Sequence, residues 1–542
     1  MPQPRLEPVT ATSEPLRLPP LLPEARSTFY ERWRTRLDTD PRVHRLWSVL
    51  APVLVTLLAG ILRFWNLAHP HAIVFDETYY VKDAWSQWHL GYPSSWPEDA
   101  DTRFLAGETD IFTANPSYVV HPPLGKWIIG AGMALFGADS GFGWRFSVAL
   151  LGTATVLVLY FVARALGGSI VYATVAALFL AVDGLGIVLS RVSILDGILT
   201  FFVVLGFLFV LLDRRRHRER LDAAITAGTV DGMAPAWGPV FWNRPWILAA
   251  GAALGAATAV KWSGIFILAA VGVYLVVDDA LARRKAGIGY WPTDAVLRQG
   301  LATFVVFVPV AVIVYISSWA GWLLTDGGYD RHLADAAPAE GPWSWVPLPL
   351  QSLWLYHQAI YNSNVTLTSP HSYASPAWQW PLMLRPTSMF YLGSATGENG
   401  CTAGGNGCSE GITSIANPLL WWAAVIAVIY LLWRCIAKRN GGDWLILTGI
   451  VATYVPWLMY PDRTIFQFYT IVILPFMILA LTTLLRDLAQ LRTRGGFALG
   501  RWATGIFVAA VILVSAWFYP VWTAMPVSYE FWYSHFRRDG WV

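Results

Sequence analysis

The sequence predicts an all-α polytopic membrane protein. It has about eleven transmembrane helices, interfacial helices in a first external loop, and a second external region that caps them. Three observations carry this. Of 542 residues, 55% are hydrophobic and only 13% charged, against about 25% charged in soluble domains. Apolar runs of about 18–22 residues recur between polar connections, each long enough to cross about 30 Å of hydrocarbon. Arg and Lys gather in a few short connections and leave others nearly free, the asymmetry that orients membrane proteins. The 30 tryptophans suit rings seated at two interfaces. A net charge of +3 distributed in this way gives no nucleic-acid signal. Three cysteines make neither a disulfide scaffold nor a zinc site.

Residues 1–45, rich in Pro and Arg, predict a disordered or surface-lying cytoplasmic tail rather than a cleaved signal. Eight arginines precede the first span, about 46–65, so its start faces the cytoplasm. A polar external loop, 67–143, follows. Within it Pro123–Gly137 is apolar but too short to cross, and predicts an interfacial helix. Counting it as a span would put RRRHRER (214–220) outside, against the charge rule. Further spans fall at about 145–166, 169–188 and 194–212, then in a hairpin around AVKWSG (259–264), then at about 298–320. A second large external region covers 321–415. Four spans within 416–520 lead to an external C-terminal tail, 521–542. The domain reading is thus a tail (1–45), an N-terminal transmembrane module (46–320) containing the first loop, an aromatic-rich external region (321–415), and the C-terminal helices and tail.

The residues of chemical interest collect on the external side. Asp76 and Glu77 follow the first span in FDETYY. Neighbours in sequence point different ways on a helix, so one suits a base and the other a positioning role; the plainer reading is an acidic first turn. In HPPLGKW (121–127) two prolines open a short helix, with His121 and Lys126 at its entrance. Lys126 there suits a phosphate or a lipid headgroup. Lone cations stand at external span ends: Arg145, Arg191, Lys261 and Arg463. Each alone reads as an interface anchor, and together they form a basic pocket for a lipid phosphate. Asp196 is expected to neutralise Arg191, and Asp183 to be a buried polar link. His357 and His371 stand in an aromatic segment suited to sugar or peptide, or to packing as a cap; their spacing predicts no metal site. Cys401 and Cys408, on the external side, would close a Gly-rich loop by a disulfide, whereas Cys435, on the cytoplasmic side, is expected to be free.

FDETYY, HPPLGKW, GWRF, SRVSILDG, AVKWSG and YPDR, in this order, resemble the protein O-mannosyltransferases of the GT-C membrane glycosyltransferases, glycosyltransferase family 39. HPPLGKW is the most specific of these. The resemblance covers most of the chain after the tail, but lacks the large extra domain of fungal members and looks like the actinobacterial ones. It implies a GT-C fold and a bacterial plasma-membrane enzyme with an extracytoplasmic site. The implied donor is polyprenyl-phosphate mannose and the implied acceptors are Ser/Thr hydroxyls of secreted or membrane proteins, met at the secretion translocon. It implies an inverting transfer with Asp76 as base and Glu77 positioning substrate. The cations then meet the donor phosphate, Lys126 and Arg145 first, Arg191, Lys261 and Arg463 behind them, and no cofactor or metal is required. Two alternatives remain: a GT-C transferase with a glycolipid acceptor, and a transporter of lipid-linked sugar. The latter predicts charges paired near the midplane.

Overall fold

The computed structural model describes residues 29–229, 234–438, 441–493, 496–536 and 540–541. Of the expected N-terminal tail, residues 1–28 lie outside these. The chain divides into two units, residues 1–50 and 51–542. The first holds α1 (Phe29–Thr39) and the opening turns of α2 (Pro41–Phe64). The expectation of a tail without structure to residue 45 is therefore corrected: α1 is helical, and Trp33 packs edge-on against Trp47 at 5.4 Å.

In the second unit the first loop carries α3 (Glu77–Leu90), α4 (Ala100–Leu105) and α5 (Leu124–Phe136). At 13 residues, α5 spans about 20 Å, short of a hydrocarbon core. Then follow α6 (Gly141–Gly167), α7 (Ile170–Val182), α8 (Gly184–Val188), α9 (Leu195–Gly228), α10 (Pro245–Val260) and α11 (Ser263–Lys285). A short α12 (Trp291–Thr293) continues through a π-helical stretch into α13 (Leu301–Ser318). Beyond α14 (Ala320–Leu324) and α15 (Leu348–Thr366) come α16 (Pro418–Lys438), α17 (Gly441–Leu458), α18 (Leu474–Leu488), α19 (Leu499–Trp522) and α20 (Tyr529–Ser534). A helix stands at each of the expected span positions. Seven helices among the described residues are long and apolar enough to cross a membrane, starting at Pro41, Gly141, Leu195, Ser263, Trp291, Pro418 and Leu499. The protein is a multi-pass membrane protein.

Local chemistry explains the joints. Gly168 ends α6 in the left-handed conformation (φ +67°), which glycine adopts without a Cβ penalty, and Ser169 then accepts the Tyr172 N–H to open α7. Asp183 breaks α7 from α8 by accepting the Leu185 and Gly186 N–H groups, and also accepts from Asn417 N at 2.9 Å. It is the buried link expected of it. Gly132 lets α5 lie against α6, since a Cβ there would meet Ser147 Oγ at 2.7 Å and Gly143 O at 2.8 Å.

The helices are joined by buried ion pairs. Lys261, just past α10, donates to both oxygens of Asp196 in α9 at 2.9 and 3.1 Å. At the other end of α10, Arg244 pairs with Asp213, midway along α9, at 2.6 Å and with Asp279 of α11 at 2.8 Å.

The second external region is not wholly helical as expected. β1 (Thr387–Ser394), β2 (Cys408–Ser414) and β3 (Val527–Ser528) form an antiparallel sheet in that order. Cys401 and Cys408 are disulfide-bonded at the head of this hairpin, and Cys435 is free and buried. Glu410 of β2 meets His69 of the first loop at 2.9 Å, so the cap is tied to the loop that carries the acids.

Candidate active site

Asp76 and Glu77 open α3 and part company there. Glu77 is fully buried and accepts four hydrogen bonds, two from Arg145 at 2.9 Å and one each from Val74 N and Ser193 N at 2.8 Å. Asp76 is half-buried and makes no side-chain cap to α3. Burial pushes its carboxyl up to about 6, with Lys261 pulling it down and Asp196 adding to the rise. It is therefore a desolvated acid beside an ion pair, poised between charged and neutral near physiological pH.

Lys261 is the centre of this group. It is paired with Asp196, lies over the Tyr469 ring at 3.9 Å, and contributes to holding His121 neutral. His121 is pushed well below its ordinary value by burial and by the charges of Lys261, Lys126 and Arg463. The charges of Lys261, Arg463, Asp196 and Asp76 all reach the Tyr469 hydroxyl. These residues come from four separate stretches of chain and meet in one place.

A cavity of about 840 Å³ opens beside them. Its long apolar walls come from α10, α11, α13, α15 and α17, including Phe266, Val312, Trp354 and Trp457. Its exposed surface is mostly apolar, and its polar residues include Lys261, Arg463, His121, Asn364 and His357. Arg463 donates to Asn364 through Nε (2.6 Å) and Nη2 (3.1 Å). Its Nη1 is buried with no partner among the described residues, a donor whose desolvation is uncompensated until something binds. His357 bonds Tyr315 at 2.6 Å, and Trp262 donates to the same hydroxyl at 2.9 Å.

The expected basic pocket is thus smaller than its candidate list. Arg145 gives all five of its N–H donors to Glu77 and to the carbonyls of Leu67, Pro70 and Ala72. It has none left for a phosphate. Arg191 caps the end of α2 through the carbonyls of Arg63, Trp65 and Asn66, where a cation suits the helix dipole. Its expected partner Asp196 belongs to Lys261 instead. Lys126 is buried against Asp83 at 3.6 Å and does not line the large cavity. His371 is exposed and packs on Phe75 and Phe466, apart from His357. Among the described residues no group of three or more His, Cys, Asp or Glu is arranged to hold a metal.

Three further residues belong to the site: Tyr80, a buried phenol that the charges of Asp76 and Asp196 reach, Asp83, the partner of Lys126, and Tyr469. Tyr80 and Asp83 stand four and seven positions after Asp76, the spacing of one helix face, and that signal was available. Tyr469, in the run FQFYT, carried none beyond its residue type.

Residues 53–325 match the family model for dolichyl-phosphate-mannose-protein mannosyltransferase, and residues 349–541 that for the C-terminal four-transmembrane region of protein-O-mannosyltransferase. A polyprenol-phosphate-mannose–protein mannosyltransferase of Mycolicibacterium smegmatis is 33% identical, over 91% of this chain and 93% of that one. Its counterpart in Mycobacterium tuberculosis is 32% identical over 92% of each. Among solved structures, the S. cerevisiae protein O-mannosyltransferase Pmt1-Pmt2 complex bound to the sugar donor matches in fold. Its TM-score is 0.64 at 15% identity, covering 91% of this chain and 92% of that one.

Proposed function

The chain belongs to the protein O-mannosyltransferase family and is a glycosyltransferase, and from that premise we propose that it moves mannose from polyprenyl-phosphate mannose to Ser or Thr hydroxyls of polypeptides. The observation that carries the reading is the polar end of the apolar cavity. There Arg463 keeps a buried, unpartnered N–H beside Lys261, and Asp76 lies within electrostatic reach. A polyprenyl tail fits long apolar walls, and its phosphate fits paired cations.

In the proposed step the acceptor oxygen attacks the mannose anomeric carbon as the bond from that carbon to the phosphate oxygen breaks. The configuration inverts. Asp76 takes the hydroxyl proton, and polyprenyl phosphate leaves with its charge met by Lys261 and Arg463. These side chains supply the positive charge without a metal ion or cofactor. Glu77 does not touch substrate in this scheme; through Arg145 it holds the loop from which Asp76 projects. In this reading the arginine-rich connections favour a cytoplasmic N-terminus and, with the eleven crossings expected from the sequence, a site and C-terminus on the opposite face, where an acceptor would leave a secretion channel.

The test is transfer from polyprenyl-phosphate mannose to a Thr-rich peptide by wild type and Asp76→Asn. Loss of about 10²–10⁴ in rate with insertion and folding kept is expected for a missing general base. Near-normal activity in the variant removes Asp76 from the role. Wild-type transfer to a glycolipid but not to peptide overturns the acceptor class.

A further inference from the structure

The reaction brings two substrates to Asp76, and the cavity accounts for one. We propose that the aromatic wall of Phe75, His371, Tyr373 and Phe466 is the acceptor subsite, holding an extended Ser/Thr-bearing segment of polypeptide. This rests on the transferase reading above.

The wall begins at the residue before Asp76. Phe75 has φ +51°, a left-handed conformation that a bulky residue keeps only where its surroundings over-determine it. Its ring meets His371 at 6.0 Å, Phe466 at 5.8 Å and Phe468 at 5.7 Å, all edge to face. His371 in turn meets Phe466 at 4.9 Å and Tyr373 at 6.1 Å. Backbone bonds fasten the two segments that supply these rings: Ser375 N donates to Ile465 O at 2.8 Å, and Thr464 N to Leu367 O at 3.0 Å. The wall is pre-built rather than assembled on binding.

Its chemistry differs from that of the cavity. None of the four residues lines the cavity, and none carries a fixed charge. Arg385, over the Tyr373 ring at 5.1 Å, gives donors to the Ser372 and Gly540 carbonyls. The exposed His371 accepts the Tyr373 N–H at Nδ1 (3.1 Å), which leaves its Nε2 side to donate. Ring faces and one N–H donor suit a neutral chain of threonines, prolines and amides, not a phosphate. In an extended chain alternate side chains face opposite ways, so one residue packs on the wall while its neighbour presents a hydroxyl toward Asp76.

The test is steady-state kinetics with polyprenyl-phosphate mannose and a Thr-rich peptide, each varied in turn. His371→Ala, at an exposed position, is expected to raise the peptide KM about tenfold, the loss of one good contact, and to leave the donor KM and kcat unchanged. His371→Gln, which keeps an N–H donor, is expected to recover part of the loss, and Phe466→Leu to raise the peptide KM as well. A rise in donor KM instead means that the wall holds the mannose, and overturns the proposal. So does an unchanged peptide KM in both His371→Ala and Tyr373→Ala. Wild type that transfers nothing to peptide overturns the protein-acceptor reading itself, a different result from wild type that transfers with wall variants indistinguishable from it.

Discussion

The pH dependence of transfer reads out the environment of Asp76 directly. An ordinary aspartate, near 3.9, is fully charged from pH 7 down to pH 5 and would give a flat profile. Burial raises Asp76 to about 6, and the charged form is the base. At pH 7 about nine-tenths of the molecules then hold it ionised, and at pH 5 about one-tenth. The expected result is a fall of about tenfold in kcat/KM between these values, because kcat/KM reports groups of the free enzyme. Asp196→Asn supplies the perturbation. It removes a negative charge that raises Asp76 and frees Lys261, which lowers it. Both effects move the acid limb to lower pH. The assay is mannose transfer to peptide in proteoliposomes across pH 5–8, with the melting temperature followed at each pH so that unfolding is not read as titration. A wild-type profile flat to pH 5, or a limb that moves to higher pH in Asp196→Asn, refutes the argument.

Two further predictions concern stability. Glu77→Gln leaves the Arg145 guanidinium buried without its counter-charge, a change that costs about 3–5 kcal/mol. The apparent melting temperature should drop sharply, whereas Asp76→Asn, which removes a desolvated charge, should not lower it. Equal melting of the two variants would show that the neighbouring acids are not divided as described. Cys401→Ser or reduction of the disulfide opens a ring of eight residues and should cost about 2–3 kcal/mol, seen as earlier melting. An impermeant thiol reagent should leave the buried Cys435 unlabelled until the protein unfolds, and prompt labelling of the native protein counts against its placement.

Helix positions were legible in the sequence because they depend on local quantities. Run length rejected 123–137 as a span, and α5 is 13 residues long. The divergence of Asp76 and Glu77 followed from helical geometry. What stayed hidden was tertiary. Arg145 and Arg463 are both lone arginines at external ends of apolar runs. Only the fold shows that one is ringed by carbonyls and Glu77 while the other keeps a free N–H in a cavity. Asp196 was assigned to Arg191 by nearness in sequence, yet its partner is Lys261, 65 residues away. The small sheet is not legible because its first two strands flank a Gly-rich loop without clear alternation of apolar and polar residues, and the third, of two residues, comes from the far C-terminus to pair with β2.

The pairing of α9 with α10 has a mechanical meaning. Asp196 and Asp213 are seventeen residues apart on one helix, and Arg244 and Lys261 are seventeen apart at the two ends of the other. The helices are therefore a ladder with a rung at each end of α10, about 25 Å from rung to rung. Neither helix can slide or turn past the other without breaking a buried charge pair, so the two move as one unit. The position of Lys261 at one end of α10 is held in part by Arg244 at the other.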